Sequence, residues 1–179
     1  MTQAGIVYGE ALYELAKSEG LSEEILSQIT VLADSFRQEP DFLRLLAAPN
    51  LSKAERCDIL DRSFRGKVHP YVLNFLKILT EKGYVRYFAD CCAAYRDRYN
   101  RDNGILPVTA VTAVPLTRAQ ADKLTGKLSE LTGKTVSLQN RVDPGVLGGI
   151  RLDYDGKRLD DTVSHRLDAV RGLLKNTVL

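Results

Sequence analysis

The sequence predicts an α+β protein: an N-terminal six-helix bundle over residues 1–104, followed by a small α/β domain over residues 105–179 with a short sheet and two helices. Three observations predict it. Apolar residues recur three and four apart up to Asn103, the mark of helices with one buried stripe. After Asn103-Gly104 the pattern becomes an alternation of β-branched and small residues, the mark of strands. Asp155-Gly156 is a two-residue hairpin signal, because such a turn needs positive φ and glycine adopts it freely.

In the first helix, Val7, Ala11 and Leu15 recur every four residues, and Tyr8, Leu12 and Leu15 form an adjoining row. Gly20 stops it and Ser22 caps the next. Ile25, Ile29, Leu32 and Phe36 mark the second helix, which ends before Pro40. Phe42, Leu45 and Leu46 mark a short third, closed by Pro49. Ser52-Lys53-Ala54-Glu55 is a capping box, in which hydroxyl and carboxylate satisfy each other's free backbone donors. Ile59, Leu60 and Phe64 follow on the fourth helix. Pro70 fits the first turn of the fifth, where its missing N–H costs nothing. Val72, Leu73, Phe75, Leu76, Ile78 and Leu79 make that helix apolar on most sides, and Gly83 ends it. The sixth runs from Tyr84 to Asn103 and turns strongly charged after Tyr95.

In the second domain, Val108, Thr109, Val111, Thr112 and Val114 form a strand between Pro107 and Pro115. Thr117-Arg118-Ala119-Gln120 is another capping box. Ala121, Leu124, Leu128 and Leu131 then line one helical face until Gly133. Val136, Leu138 and Val142 mark a second strand, and Ile150, Leu152 and Tyr154 a third. Lys157 to Asp160 pairs back across the hairpin. Val163, Leu167, Val170 and Leu174 place an amphipathic helix at the end.

Composition narrows the function. Twenty-five Lys and Arg against 23 Asp and Glu give a net charge of +2, which makes no case for a polyanionic partner such as nucleic acid. No run approaches the ~18 apolar residues of a membrane span. The first twenty residues carry Glu10, Glu14, Lys17 and Glu19 instead of the apolar core of a secretory signal or the acid-poor pattern of a transit peptide. Three cysteines, Cys57, Cys91 and Cys92, lack C-x-x-C spacing, and only His69 and His165 could join them. They read as reduced, buried thiols with no metal site.

The candidate chemical motifs also have structural readings. Thr132-Gly133-Lys134-Thr135 invites a phosphate loop, but the required first glycine position is Leu128, and the order is helix to strand. Gly133 reads as a helix cap. Gly148-Gly149 opens a strand and suits a close backbone approach. Asp153 and Asp155 flank the hairpin, Asp160 and Asp161 precede the last helix, and His165 falls in its first turn. An enzyme using the Asp153–His165 region is one competing reading. The runner-up is a nucleic-acid-binding regulatory helical bundle, supported by Arg96, Arg98 and Arg101 beside Tyr95 and Tyr99, though Asp97 and Asp102 interrupt that run.

One ordered set of segments resembles a known family. Tyr8-Gly9-Glu10-Ala11-Leu12-Tyr13-Glu14-Leu15-Ala16 looks like the opening helix of the delta subunits of F-type ATP synthases and of the mitochondrial oligomycin-sensitivity-conferring protein. Phe75 to Gly83 resembles the family's fifth helix. Val111 to Thr117 with Gln120, then Val142-Asp143-Pro144, Leu147-Gly148-Gly149-Ile150, Asp160 and Leu167 follow in the family's order. Asp160-Asp161-Thr162 departs from its usual Asp-Gly-Ser. The resemblance implies a non-catalytic stator subunit without cofactor. Its N-terminal domain would bind alpha-subunit N-terminal helices on the catalytic head. Its C-terminal domain would contact the C-terminal region of the stalk b subunits. The complex would hold it at the cytoplasmic face of a bacterial membrane as a peripheral subunit.

The surplus of apolar residues on the first and fifth helices places the partner site there, at Tyr8, Ala11, Leu12, Leu15, Leu76 and Leu79. A small bundle cannot bury all of these against itself. Mild trypsin treatment should release a helical fragment of about 100 residues by cleavage between Arg98 and Pro107, where the pattern of both domains breaks; recovery of small peptides alone, by mass spectrometry, would contradict two domains.

Overall fold

The computed structural model describes residues 1–48, 51–146 and 148–163. Pro49, Leu147, His165 and the expected final helix with Leu167, Val170 and Leu174 lie outside them. The chain divides into two units, Met1–Tyr99 and Asn100–Leu179.

The first unit is helical: α1 (Gln3–Ser18), α2 (Ser22–Gln38), α3 (Pro40–Leu46), α4 (Lys53–Phe64), α5 (Pro70–Glu81) and α6 (Phe88–Asp102). The ends of α1 and α5 share one device. Gly20 and Gly83 take positive φ, so the next N–H folds back: Leu21 donates to Ala16 O at 2.8 Å and Tyr84 to Leu79 O at 2.7 Å. These paired bonds satisfy the last carbonyls of each helix. Ser22 does not cap α2 as expected; it is the first helical residue, and Leu21 holds the cap position without a side-chain bond. Leu21 is already committed, since its N–H closes α1 while its carbonyl accepts from Ile25 N–H. Likewise the sixth helix starts at Phe88, not Tyr84, because a 3-10 turn at Val85–Tyr87 follows the glycine.

One core joins these helices. Ile25, Leu46, Leu60, Val72, Leu76, Leu79 and Tyr95 are 0% exposed. Phe36 centres an aromatic cluster, stacked on Phe42 at 5.7 Å and edge-on to Phe88 at 5.2 Å, geometries that add to simple area burial. The α1–α6 contact is backbone-close. A Cβ added at Gly9 would meet the Cys91 carbonyl oxygen and sit 2.9 Å from Ala94 Cβ, and one at Gly5 would approach Asp90 Cβ. Thr2 N–H donates to Asp90 Oδ2 at 2.7 Å at the same seam.

The second unit carries β1 (Ile105–Thr112), α7 (Arg118–Thr132), β2 (Thr135–Val142), β3 (Gly149–Tyr154) and β4 (Lys157–Thr162). The sheet order is β2-β1-β3-β4. β1 pairs parallel to β2, as a helical crossover allows, and antiparallel to β3. β1 begins and ends earlier than its expected Pro107–Pro115 span. Asn140 fixes the end: its Nδ2 donates to Ala110 O and Thr112 Oγ1, and its Oδ1 accepts from Leu116 N–H. Asp155 and Gly156 both have positive φ in the β3–β4 turn. The returning strand, expected over Lys157 to Asp160, runs on through Asp161 to Thr162, and Asp160 Oδ1 accepts from Thr162 Oγ1 at 2.7 Å.

Leu106, Val108, Ala110, Val136 and Leu152 form the core of this unit, with Leu124 and Leu128 of α7 half-buried against it. Leu131, expected on the same face, is 83% exposed; at 100° per residue it falls on the flank of the Ala121–Leu124–Leu128 stripe.

Two glycine substitutions should separate close packing from backbone freedom. Gly9→Ala should cost about 2 kcal/mol or more, because overpacking forces the α1–α6 backbones apart. Gly126→Ala, in α7 with open space at the Cβ position, should gain roughly 0.5–1 kcal/mol. Urea denaturation of each variant checks both signs.

Candidate functional site

Between α1 and α5 lies an open groove of about 480 Å³. From α1 come Tyr8, Ala11, Leu12 and Leu15; from α5 come Tyr71, Asn74, Phe75 and Ile78. Both sets follow helical spacing, so each helix presents one stripe to the groove. Leu12 and Phe75 are buried and form its floor. Leu15, 41% exposed, and Ile78, 45% exposed, stand on the walls, and Ala11 is exposed between them. Val7, which shares the Ala11–Leu15 stripe, is 54% exposed. The face of α1 turned to the core adjoins this one and shares Leu12 with it: Gly5, Gly9, Leu12, Tyr13 and Ala16. So α1 carries two apolar faces, and its own unit covers only one.

Tyr8, Ala11, Leu12 and Leu15 are thus brought together as the sequence expects. Leu76 and Leu79 are not. Both are fully buried in the helical core, about 90° (Leu79) and about 150° (Leu76) around α5 from the centre of the groove stripe by the 3.6-residue period. Their places are taken by Tyr71, Asn74, Phe75 and Ile78. Sequence reasoning placed none of these four at the site; it counted Phe75 and Ile78 only among the apolar residues of the helix and left out Tyr71 and Asn74 altogether. The available signal was the i, i+3, i+4, i+7 spacing of these four residues.

The groove is aromatic at one end. Tyr8 lies 5.8 Å from Tyr84, just beyond α5, and Tyr84 is 6.2 Å from Tyr87. No residue lining the groove carries a charge. The surface therefore suits an apolar helix face more than a small polar metabolite, which needs convergent polar groups.

The competing sites are occupied by structural contacts. Tyr95, in the basic–aromatic run, is buried and donates its hydroxyl to Ser22 O at 2.9 Å, and Arg98 pairs with Glu14 at 3.2 Å. Asp153 accepts from Arg158 Nε at 2.9 Å with Arg151 at 3.5 Å; hydrogen bonding to Arg158 holds its carboxyl below the usual range, so it carries no proton to donate at neutral pH. His69 caps α5, its Nδ1 accepting from Tyr71 N–H. Gly133 is an αL cap after α7, and Gly149 meets the Asp161 carbonyl so closely that a Cβ would clash. Among the described residues no group of three or more His, Cys, Asp or Glu is placed to hold a metal ion, and no helix is long and apolar enough to cross a membrane. Cys91 and Cys92 are buried, and burial pushes their thiols up to about 11 and about 12. Cys57, expected to be buried as well, is half-exposed, with burial and the nearby Glu81 raising its thiol.

A helical unit with an open groove lined by no charged residue, together with a second, small mixed-sheet unit, has the make-up of an interaction protein. Comparison with known proteins gives the family. Residues 6–174 match the family described as ATP synthase delta (OSCP) subunit. ATP synthase subunit delta of Alkaliphilus oremlandii is 31% identical over 172 residues, 96% of each chain. That of Gloeobacter violaceus is 32% identical over 89% of this chain and 88% of its own, and that of Clostridioides difficile 29% identical over 96% and 95%. Among solved structures, a chain from the Toxoplasma gondii mitochondrial ATP synthase hexamer shares the fold, with a TM-score of 0.75 at 22% identity over 97% of this chain and 98% of that one. The protein belongs to the ATP synthase delta (OSCP) family and is a non-catalytic peripheral-stalk subunit of an F-type ATP synthase.

The thiol environments give a direct check. With a maleimide at pH 7.5, native protein should be modified at Cys57 while Cys91 and Cys92 react only after unfolding, since the thiolate is the reacting form; peptide mass spectrometry before and after denaturant reads the difference.

Proposed function

We propose that this subunit is the joint between the catalytic alpha/beta hexamer and the peripheral stalk, and that the α1–α5 groove receives an alpha-subunit N-terminal helix. The helical unit is then the head-binding bundle. The second unit engages the C-terminal region of the b subunits, and the joint stops the head from turning with the rotor. The assembly holds the chain at the cytoplasmic face of a bacterial membrane.

One observation carries the groove assignment: an apolar stripe on α1, with Ala11 and Leu15 exposed and Tyr8 half-buried at its end, facing Ile78 across a cleft. Covering a half-exposed aliphatic side chain stabilises by roughly 1 kcal/mol, so a helix over Leu15, Ile78 and Val7 gains several such contributions without a specific polar contact. The helix-in-groove mode uses this i, i+3, i+4, i+7 arrangement of anchors. Ala11, small and exposed between larger neighbours, allows a close approach of the two backbones.

The test is Ala11→Asp in the full chain, with melting temperature and binding of a synthetic alpha N-terminal peptide both measured. Ala11 is exposed, so the fold should be kept. Binding should weaken by about 2 kcal/mol, roughly thirtyfold, because a carboxylate would be covered without a counter-charge. Leu79→Ala should behave oppositely: a loss of about 2–5 kcal/mol in stability from the core cavity, with binding changed only through unfolding. A folded Ala11→Asp variant that binds as tightly as the parent would place the alpha site elsewhere.

A further inference from the structure

Of the four α5 residues that face the groove, Tyr71, Phe75 and Ile78 are apolar or aromatic and Asn74 is neither. Asn74 occupies the i+3 place in the stripe, where a leucine would continue it. Nothing in the folded chain calls for a carboxamide there. The side chain is exposed and makes no hydrogen bond among the described residues. Asparagine is also a poorer helix former than leucine. In the free protein Asn74 therefore stabilises nothing and is hydrated by default.

The situation reverses once a helix covers the groove. A carboxamide under an apolar face loses its water, and an unpaired buried amide is costly. Carrying both donor and acceptor, it can be satisfied by a side chain with the same capability. A charged partner is excluded by the site, since none of the residues lining the groove offers a counter-ion.

Resting on the reading that the groove holds an alpha-subunit helix, we propose that Asn74 is its specificity-determining residue. It selects a helix whose apolar face is interrupted by one uncharged amide or hydroxyl side chain, and it sets that helix's register and direction. A single polar residue in an apolar seam acts in this way in paired helices, because slipped or reversed arrangements leave it unpaired. A uniformly apolar helix, otherwise the strongest competitor for such a groove, is disfavoured.

The experiment is a double-mutant cycle by isothermal titration calorimetry. The full chain, as wild type, Asn74→Leu, Asn74→Ala and Ala11→Asp, is titrated with the synthetic alpha N-terminal peptide. It is also titrated with peptides in which each uncharged polar residue is replaced singly by leucine. Asn74→Leu should bind the native peptide about tenfold more weakly or worse. One leucine-substituted peptide should lose a similar factor against the wild type and recover it against Asn74→Leu. Asn74→Leu and Asn74→Ala should melt no lower than wild type; a lower melting temperature in both would make Asn74 structural and overturn the proposal. Unchanged binding of the native peptide by Asn74→Leu, or losses that add without coupling for every peptide, would overturn it too. If Ala11→Asp weakens binding while Asn74→Leu does not, only the role of Asn74 falls. If Ala11→Asp binds as the wild type does, or the wild type fails to bind, the groove reading falls and this proposal with it.

Discussion

A helix at the edge of a small unit can turn only part of its circumference inward, and the first half of the inward face of α1 is bare backbone at Gly5 and Gly9, ahead of Leu12, Tyr13 and Ala16. Gly5 and Gly9 bring it against α6 so closely that a Cβ at either would clash. That contact fixes the rotation of α1 about its own axis. Leu12 and Tyr13 then enter the core, and Tyr8, Ala11 and Leu15 turn outward beside α5. Rotating α1 to bury Leu15 would drive side chains into the Cys91 carbonyl. The open groove follows from the glycine seam on the opposite side of the same helix.

The rotation of α5 is fixed differently. Leu76 and Leu79 fill the core together with Val72, and Lys77 reaches Asp61 of α4 at 2.8 Å. With those two directions occupied, the stripe from Tyr71 to Ile78 has to face the groove. Each wall of the site is therefore positioned by contacts on the far side of its helix. The helices that form the groove are held by a packed core, and a site formed in advance lowers the ordering cost of receiving a partner.

How much of this can be read in the sequence depends on which contacts decide it. Both capping boxes, the glycine helix ends and the Asp155-Gly156 hairpin are legible, because their chemistry is local. The two helices of the groove are legible as well, from their excess of apolar residues. Which residues of α5 face outward is not. Leu76 and Ile78 are equally apolar and two positions apart, and only the docking of α5 on α4 and the rest of the core separates them. Periodicity detects a surplus face and cannot choose among faces when a helix is apolar nearly all round. Asn74 keeps its own direction out of the core, since a carboxamide is unwelcome there without a partner, but Lys77 does the same for another direction, and only the docking of α5 on Asp61 of α4 tells which of the two faces the groove. The start of α6 failed for a related reason: the glycine stop is local, but the 3-10 turn after it depends on how Val85 and Phe88 meet the core.

A joint that resists torque has to remain closed under load and across changes of ionic strength. Exposed ion pairs serve this poorly, since each contributes little and is screened by salt. Apolar contacts are insensitive to screening but non-directional, so alone they permit slippage of a helix along its groove. The α1–α5 cleft combines the two properties the proposed role demands. Its uncharged walls make the holding term independent of salt, and one carboxamide adds the direction that aliphatic and aromatic groups lack. The charges of the helical unit are kept for pairs outside the cleft, such as Asp61 with Lys77 and Glu14 with Arg98. On this reading, grip and register are assigned to different residues of one surface, and each can be altered without disturbing the core beneath.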